Sequence, residues 1–395
     1  MYSLMLSIIY LAFTSLGLPD SLLGSAWPIM RQDLSVPLSY MGIIYMIVCS
    51  GTIISILLSD RILRRFSTGV VTAVSVGMTM LALFGFSVAG NFYLICLIAI
   101  PYGLGAGAVD AALNNYVALH YSSKHMTWLH ASWGVGVTIS PYIMSYSLGT
   151  KYGWEGGYFS AGVIQLVITV ILFAVLPIWK KTAEKRETEE DKPKVLTIRQ
   201  ALKLKGFPLM LVSFFCYCAL EQTAIIWATS YLNGSRGVDP KTAASFGSMF
   251  CIGITVGRIL LGFIADRLGD RSMIRAGCVV TLLGILLVGL PIESPLPAFI
   301  GLVVIGFGNS PIYPCIIHST PDSFGRDNSQ SLVGKQMAMA YFGNTLMPPL
   351  FGVLAQFTSL SLYPIYLAFF GVVMLVSHEL MIKKVDAAKR EAKTE

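Results

Sequence analysis

The sequence predicts an all-α integral membrane protein, with twelve transmembrane helices in two pseudo-symmetric bundles of six. Composition, the spacing of apolar segments and an internal repeat each support this fold class. The chain has 395 residues, of which 55% are hydrophobic and 12% are charged, and its mean hydropathy is +0.69. A water-soluble globule of this length needs more polar surface. Most of the protein is therefore expected to face lipid.

Twelve apolar segments follow one another, and each is long enough to cross a hydrocarbon core of about 30 Å. The gaps contain Gly, Pro, Asn and charged residues, as is typical of connections. The predicted segments are 3–27, 39–58, 69–89, 92–120, 128–149, 158–178, 207–232, 241–265, 273–291, 297–319, 329–357 and 363–382. The predicted domains are an N-terminal bundle (1–179), a cytoplasmic linker (180–206), a C-terminal bundle (207–383) and a cytoplasmic tail (384–395). The first segment lacks a basic start and a cleavage site, so we expect it to be retained.

The distribution of Lys and Arg predicts the orientation. With both termini in the cytoplasm, 22 of the 28 basic residues lie on the inner side. The exceptions are four residues outside and two within segments: Arg31, Lys151, Arg236, Lys241, Arg258 and Lys335. This bias is typical of membrane proteins, so the net charge of +7 reflects topology rather than a nucleic-acid partner. We expect a monomeric, multi-pass protein of the inner or plasma membrane, surrounded by the lipid bilayer.

Neither an enzyme site nor a metal site is predicted. All seven cysteines fall inside predicted segments without metal-ligand spacing, which is typical of small buried side chains. The glycines of Gly103-x-Gly105-x-Gly107 lie within an apolar helix and lack a following phosphate-binding Lys. No ATP-binding motif is present, so we expect neither a cofactor nor a primary pump.

An internal repeat relates the two halves. Ser59-Asp60-Arg61-Ile-Leu-Arg64-Arg65 and Ala265-Asp266-Arg267-Leu-Gly-Asp270-Arg271 match at a constant offset of 206. Short acids and arginines at helix ends can form ion pairs that close a gate and break when it opens, although stop-transfer charges are the alternative. Arg258 lies one and two turns before Gly262 and Asp266, and we expect it to bind acids or loop carbonyls at the inner gate. The candidate gate residues are Asp60, Arg61, Arg65, Arg258, Asp266, Arg267 and Arg271.

Acidic residues inside apolar segments are the candidates for ion coupling. Asp110 falls near the middle of the fourth segment, with Asn114 one turn later on the same face. A carboxylate at this depth is tolerated only beside a cavity or a partner, so it indicates function. Glu221 and Asp20 are further candidates, and Pro19 predicts a break or kink beside Asp20. Protons are the expected coupling ion and Na⁺ is the alternative; a structural hydrogen bond is the alternative role for each acid.

A sugar site requires amides and acids for hydroxyl groups and an aromatic face for the ring. The polar candidates are Asn114, Asn115, Gln222, Asn309 and Asn344. The aromatic candidates are Trp133, Tyr313 and Trp227, with helix packing as their alternative role. His130 is either a proton relay or a packing residue.

Four motifs carry a resemblance to a known family, and one of them is Tyr217-Cys-Ala-Leu-Glu221-Gln222, which combines an aromatic residue with an acid. Gly257-Arg258-xxx-Gly262-xxx-Asp266-Arg267-xxx-Arg271 resembles the signature loop of the major facilitator superfamily, and the resemblance covers the whole chain. The stretch from Gly105 to Asn114 and the Gly306-Phe-Gly308-Asn309-Ser310 motif resemble the fucose permease branch, although Asp110 replaces the commoner Glu. The resemblance implies two six-helix bundles and proton-coupled symport of a sugar by alternating access.

Three classes of function stay open. The first is ion-coupled uptake of a sugar or a related polyhydroxylated small molecule. The second is export of amphipathic compounds or lipids, which the many Met and Phe residues would suit. The third is a sensor or scaffold that does not transport.

Overall fold

The protein is helical along the described parts of its chain, with no strand among those residues. The computed structural model describes residues 2–63, 65–121, 123–183, 196–261 and 268–394, although a few side chains within these ranges are not described. The helices of the first half are α1 (Tyr2–Asp20), α2 (Leu22–Asp33), α3 (Tyr40–Leu63), α4 (Thr68–Ser87), α5 (Phe92–His120), α6 (Ser123–Leu148), α7 (Gly153–Ala174) and α8 (Leu176–Ala183).

The second half begins with a short linker helix and continues with long apolar helices. Its helices are α9 (Ile198–Lys203), α10 (Phe207–Arg236), α11 (Pro240–Gly247), α12 (Met249–Leu261), α13 (Asp270–Gly289), α14 (Leu296–Asn309), α15 (Ile312–His318), α16 (Thr320–Phe324), α17 (Arg326–Phe357) and α18 (Tyr363–Thr394), with a 3₁₀ turn at Leu360–Leu362. Each predicted apolar segment is mainly helical over its described residues, which confirms the all-α membrane fold class. Within those residues, nine helices are long and apolar enough to cross a membrane, and Tyr40–Ile56 is a shorter apolar helix.

In the second half of the chain, two predicted segments are interrupted near polar residues. α11 and α12 are separated at Ser248, and α14 ends at Asn309 before Pro311 precedes α15. Asp239 is the N-cap residue of α11, because its carboxylate accepts a hydrogen bond from the Thr242 backbone N–H (3.0 Å). Hydrogen bonds from Thr242 hold the pKa of Asp239 below its ordinary value.

By contact, the chain divides into two units. The first unit comprises Met1–Thr188, Ile226–Cys251 and Gly352–Leu360, and the second comprises Glu189–Ile225, Ile252–Phe351 and Ser361–Glu395. The first unit therefore includes α11, which comes from the second half of the sequence. Ser145 of α6 donates to the carbonyl oxygen of Lys241 (2.8 Å) and accepts from Ser245 of α11 (2.5 Å).

Glycines allow close helix packing in the first unit. A Cβ atom at Gly17 of α1 would overlap the carbonyl oxygen of Trp133 in α6, and one at Gly136 would overlap that of Thr14. The α1 and α6 backbones thus approach within a distance that side chains would prevent. This contact fixes the side chains of α6 that face α1.

Ion pairs fix the polar end of α18 in the second unit. Arg275 binds Glu379 through two hydrogen bonds (2.6 and 2.8 Å), and Lys205 pairs with Glu391. The first contact joins α13 to α18, and the second joins the segment before α10 to α18. The residues from 384 onward, predicted as a tail, are helical as far as Thr394.

Candidate functional site

The first polar cluster lies at the junction of α1 and α2. α1 ends at Asp20 and α2 begins at Leu22, so the helix is interrupted at Ser21, directly after Pro19. The Ser21 hydroxyl donates to the Val137 carbonyl (2.8 Å) and lies 2.7 Å from the Ser140 hydroxyl. These bonds to α6 fix the interruption, which agrees with the break or kink predicted at Pro19.

Asp20 lies beside neutral hydrogen-bond donors. The Trp133 indole N–H donates to Asp20 Oδ2 (2.7 Å), and the Tyr102 side chain also interacts with the Asp20 carboxyl. Asp110 is close enough to Asp20 for the two carboxyl groups to interact electrostatically. Trp133 is thus an Asp20 partner, in addition to being a candidate aromatic surface.

Asp110 and Asn114 interact directly within α5. Asn114 Nδ2 donates to Asp110 Oδ1 (2.8 Å) and to its carbonyl oxygen (3.0 Å). This is the contact expected for polar residues four apart in a helix. The structure therefore brings Asp20, Trp133, Asp110 and Asn114 together in the first unit, and each of these side chains is partly exposed. We refer to these four residues as the carboxyl cluster.

His130 lies one turn before Trp133 on α6. Its ring makes an edge-on contact with Phe13 of α1, with ring centroids 5.5 Å apart. His130 is partly exposed, so this packing contact does not bury it fully.

A second polar cluster lies in the second unit, where it is built around a charged pair. Arg258 Nη2 lies 3.2 Å from Glu221 Oε1, and the two side chains are 12% and 11% exposed. The same nitrogen donates to the Tyr217 hydroxyl (3.4 Å). Arg258 was predicted to bind acids or loop carbonyls at the inner gate. Its guanidinium contacts Glu221 and Tyr217 of α10, and Asp266 lies outside the described residues. Glu221 is therefore the charge partner of Arg258.

Tyr313 lies beside this pair. The Tyr313 ring contacts those of Phe214 and Tyr217, with centroids 5.1 and 5.9 Å apart, and its hydroxyl donates to Met337 Sδ (3.2 Å). Asn309, four residues earlier, is 0% exposed. Neither amide atom of Asn309 has a hydrogen-bond partner among the described residues. An unsatisfied buried amide is rare and requires an explanation.

The other solute candidates have different environments. Trp227 is fully buried, and a Cβ atom at Gly352 would lie 2.6 Å from its ring, so its faces serve packing. Gln222 and Asn344 are partly exposed, and Asn344 Oδ1 has no partner among the described residues. The Asn115 side chain lies outside the described part of the structure.

Four of the predicted gate residues lie outside the described part of the chain, wholly or by their side chains: Asp60, Arg61, Asp266 and Arg267. Arg65 is exposed. Arg271 binds Asp386 of α18 (2.9 Å). The ion pairs expected of acids and arginines at the inner helix ends therefore stay predictions.

Tyr102 had no site role in the sequence-based prediction, and Tyr217 appeared only in a motif that resembles a known family. Tyr102 interacts with Asp20 although it lies on α5, and Tyr217 contacts Arg258. A sequence signal was present in both cases, because each tyrosine lies one or two turns before a selected acid on the same helix. Among the described residues, no group of three or more potential metal ligands comes together.

Comparisons with known proteins agree on one family. The Major Facilitator Superfamily profile matches residues 9–292 and 209–395. The chain is 22% identical over 388 residues to Bypass of stop codon protein 6 of Saccharomyces cerevisiae, covering 89% of this chain and 77% of that protein. It is 22% identical over 312 residues to the glucose/mannose transporter GlcP of Bacillus subtilis, covering 77% of each.

A solved structure shows the same fold. The crystal structure of a mutant of the nucleoside transporter NupG matches with a TM-score of 0.74 and 14% identity, covering 95% of this chain and 98% of that one. The apolar helices and the profile match indicate a multi-pass membrane protein. The chain belongs to the Major Facilitator Superfamily.

Proposed function

We propose that this protein is a secondary active transporter that couples the movement of a sugar or a related polyhydroxylated solute to protons, by alternating access. One observation carries the proposal, namely the carboxyl cluster of the first unit. In it, two acids lie beside an indole and an amide. Proton coupling requires a carboxyl group that can gain and lose a proton, and sugar binding requires polar acceptors next to an aromatic side chain.

Asp20 and Asp110 are the acids that we assign to coupling. Among the described residues, Asp20 has an indole, a phenol and another carboxyl group as partners, and no basic residue. A carboxyl group beside neutral hydrogen-bond donors can still bind a proton, whereas a nearby guanidinium stabilises the ionised carboxylate. We therefore assign Glu221 to charge compensation of Arg258 rather than to proton transfer.

Hydroxyl groups of the solute are candidate hydrogen-bond partners for the Asn309 side-chain amide. Its buried amide carries two donors and an acceptor without partners among the described residues. Gln222, Asn344 and Tyr313 supply further polar groups in the second unit. We propose that these neutral side chains bind hydroxyl groups of the solute.

Two of the similar proteins support this solute class. One relative is described as a glucose/mannose transporter, and the structural neighbour as a nucleoside transporter. Glucose, mannose and nucleosides all present several hydroxyl groups. A polyhydroxylated solute is therefore the first class to test for this chain.

The test is solute accumulation in vesicles that contain the purified full-length protein. A pH gradient should drive accumulation of one member of a panel of hexoses, deoxyhexoses, uronates and nucleosides. We expect Asp20→Asn and Asp110→Asn each to abolish accumulation while solute exchange without a gradient is partly retained. Both variants keep a hydrogen-bonding side chain but cannot change charge.

Asp33→Asn is the matched control. Asp33 also accepts from an indole, that of Trp154 (2.9 Å), but it is exposed at the end of α2. This variant should accumulate solute normally. Accumulation by Asp20→Asn and Asp110→Asn at the parent level would refute proton coupling through the cluster. If only a Na⁺ gradient drives solute accumulation, then Na⁺ is the coupling ion. If the protein transports only amphipathic cations, the result favours an exporter of amphipathic compounds.

A further inference from the structure

We propose that the second unit binds an anionic phospholipid, in a pocket between the turn that precedes α10 and the polar end of α18. The pocket has a volume of about 440 Å³. Three lysines line it, Lys203, Lys205 and Lys384, together with apolar residues that include Leu202 and Leu209. This site is separate from both polar clusters described above.

A glycine turn forms the pocket. Gly206 lies between α9 and α10 and has a φ of +94°, a conformation that side chains disfavour. Its Cα faces α18 so closely that a Cβ atom would lie 2.9 Å from Val385 and 3.2 Å from the Met381 carbonyl oxygen. The turn is therefore held against α18, which brings the lysines of α9 and the turn to Lys384.

The pocket has an excess of positive charge. Lys203 and Lys384 are exposed, and neither has an ion-pair partner among the described residues. Lys205 pairs with Glu391, and the nearby Asp386 is bound by Arg271. Two lysines therefore remain to attract an anion, as basic residues at a membrane surface attract anionic headgroups.

The surroundings of the lysines are apolar, which distinguishes a lipid from a free anion. Ile198 and Leu202 are one turn apart on α9, and they are 52% and 46% exposed. An apolar face flanked by basic residues is typical of helices that lie in the membrane interface. Phe207 then begins the apolar helix α10. A phosphate headgroup beside Lys203 and Lys384 would thus leave acyl chains next to exposed apolar side chains.

The experiment measures thermal unfolding of the purified full-length protein in a neutral detergent. It is titrated with phosphatidylglycerol, with phosphatidylcholine of the same acyl chains, and with inorganic phosphate. We expect phosphatidylglycerol to raise the Tm, because a ligand of the folded state stabilises it. Phosphatidylcholine and inorganic phosphate should have little effect. Lys203→Gln and Lys384→Gln should each weaken the apparent affinity about fivefold, the factor for one basic residue near an anionic surface.

Lys383→Gln is the matched control, since Lys383 is exposed and adjacent to Lys384 but does not line the pocket. It should keep the phosphatidylglycerol response of the parent. An equal loss of phosphatidylglycerol affinity in Lys383→Gln would show that the lipid is attracted to positive charge in general. That result would overturn the proposed site. An equal Tm rise with inorganic phosphate would also overturn it, in favour of a free phosphate site. The Tm of each variant without lipid reports its folding independently.

Discussion

Two acids of the same chemical class have opposite partners in this protein. The Asp20 carboxyl accepts from the Trp133 indole, whereas the Glu221 carboxyl lies 3.2 Å from the Arg258 guanidinium. Removing one member of a buried ion pair leaves the other charge uncompensated, which is far more unfavourable than removing both. The stability of variants can therefore show which acid is ionised in the folded protein.

We expect Glu221→Gln to destabilise the protein by roughly 3 kcal/mol, the lower end of the range for broken buried pairs. The lower end applies because both side chains keep slight exposure, at 12% and 11%. The double variant Glu221→Gln with Arg258→Gln should recover most of this loss. Thermal unfolding in detergent measures both.

Tyr217→Phe is the control for this prediction, because it removes the hydroxyl contact of Arg258 without changing charge. Its effect should be smaller than that of Glu221→Gln. If Glu221→Gln keeps the parent Tm but loses pH-driven accumulation, then Glu221 carries the proton as the sequence analysis predicted.

At the scale of elements, the packing of α1 against α6 positions the carboxyl cluster. Gly17 and Gly136 lie where a Cβ atom would overlap backbone of the opposite helix. Trp133 lies at this contact, because its carbonyl oxygen faces the Gly17 position. A change in the spacing of these helices would therefore separate the indole from Asp20.

Gly136→Ala should destabilise the protein by about 1–3 kcal/mol, the usual range for overpacking. It should also lower pH-driven accumulation, because the Trp133 indole moves away from Asp20. Gly334→Ala is the control, since Gly334 is an exposed helical glycine of α17, and no atom of another helix or of a described side chain beyond its chain neighbours lies within 4 Å of its Cβ position. Ala is favoured over Gly within helices by roughly 1 kcal/mol, so this variant should keep or raise the Tm. A Gly136→Ala protein with the parent Tm and transport would contradict the packing argument.

The helices could be predicted from sequence because apolar length alone indicates a membrane span. The Asp110–Asn114 contact could also be predicted from sequence, since residues four apart lie about one helical turn from each other. The Asp20–Trp133 bond joins residues 113 positions apart and depends on helix packing, which periodicity does not encode. The Arg258–Glu221 contact shows the same limit, because its two residues lie 37 positions apart on different helices. The place of α11 in the first unit also depends on tertiary contacts.

For the whole molecule, charge predicts how the protein lies in the membrane. Of the 28 basic residues, 22 fall on one side when the helices alternate in direction. Cytoplasmic loops of membrane proteins carry such an excess. We therefore propose that both termini and the α9–α10 turn are cytoplasmic, and that the loop between α6 and α7 faces the outside. The lysine pocket then faces the cytoplasmic leaflet.

Cysteine accessibility tests this orientation. Lys151, between α6 and α7, and Lys383, near the end of α18, are both exposed. We expect a membrane-impermeant maleimide to label Lys151→Cys in intact cells and Lys383→Cys only after permeabilisation. Labelling of the parent chain in parallel measures the background from Cys49 and Cys96, which are partly exposed. The other five cysteines are buried. Labelling of Lys383→Cys but not Lys151→Cys in intact cells would invert the orientation. It would also place the lysine pocket in the outer leaflet, since Lys383 and Lys384 are adjacent on one helix.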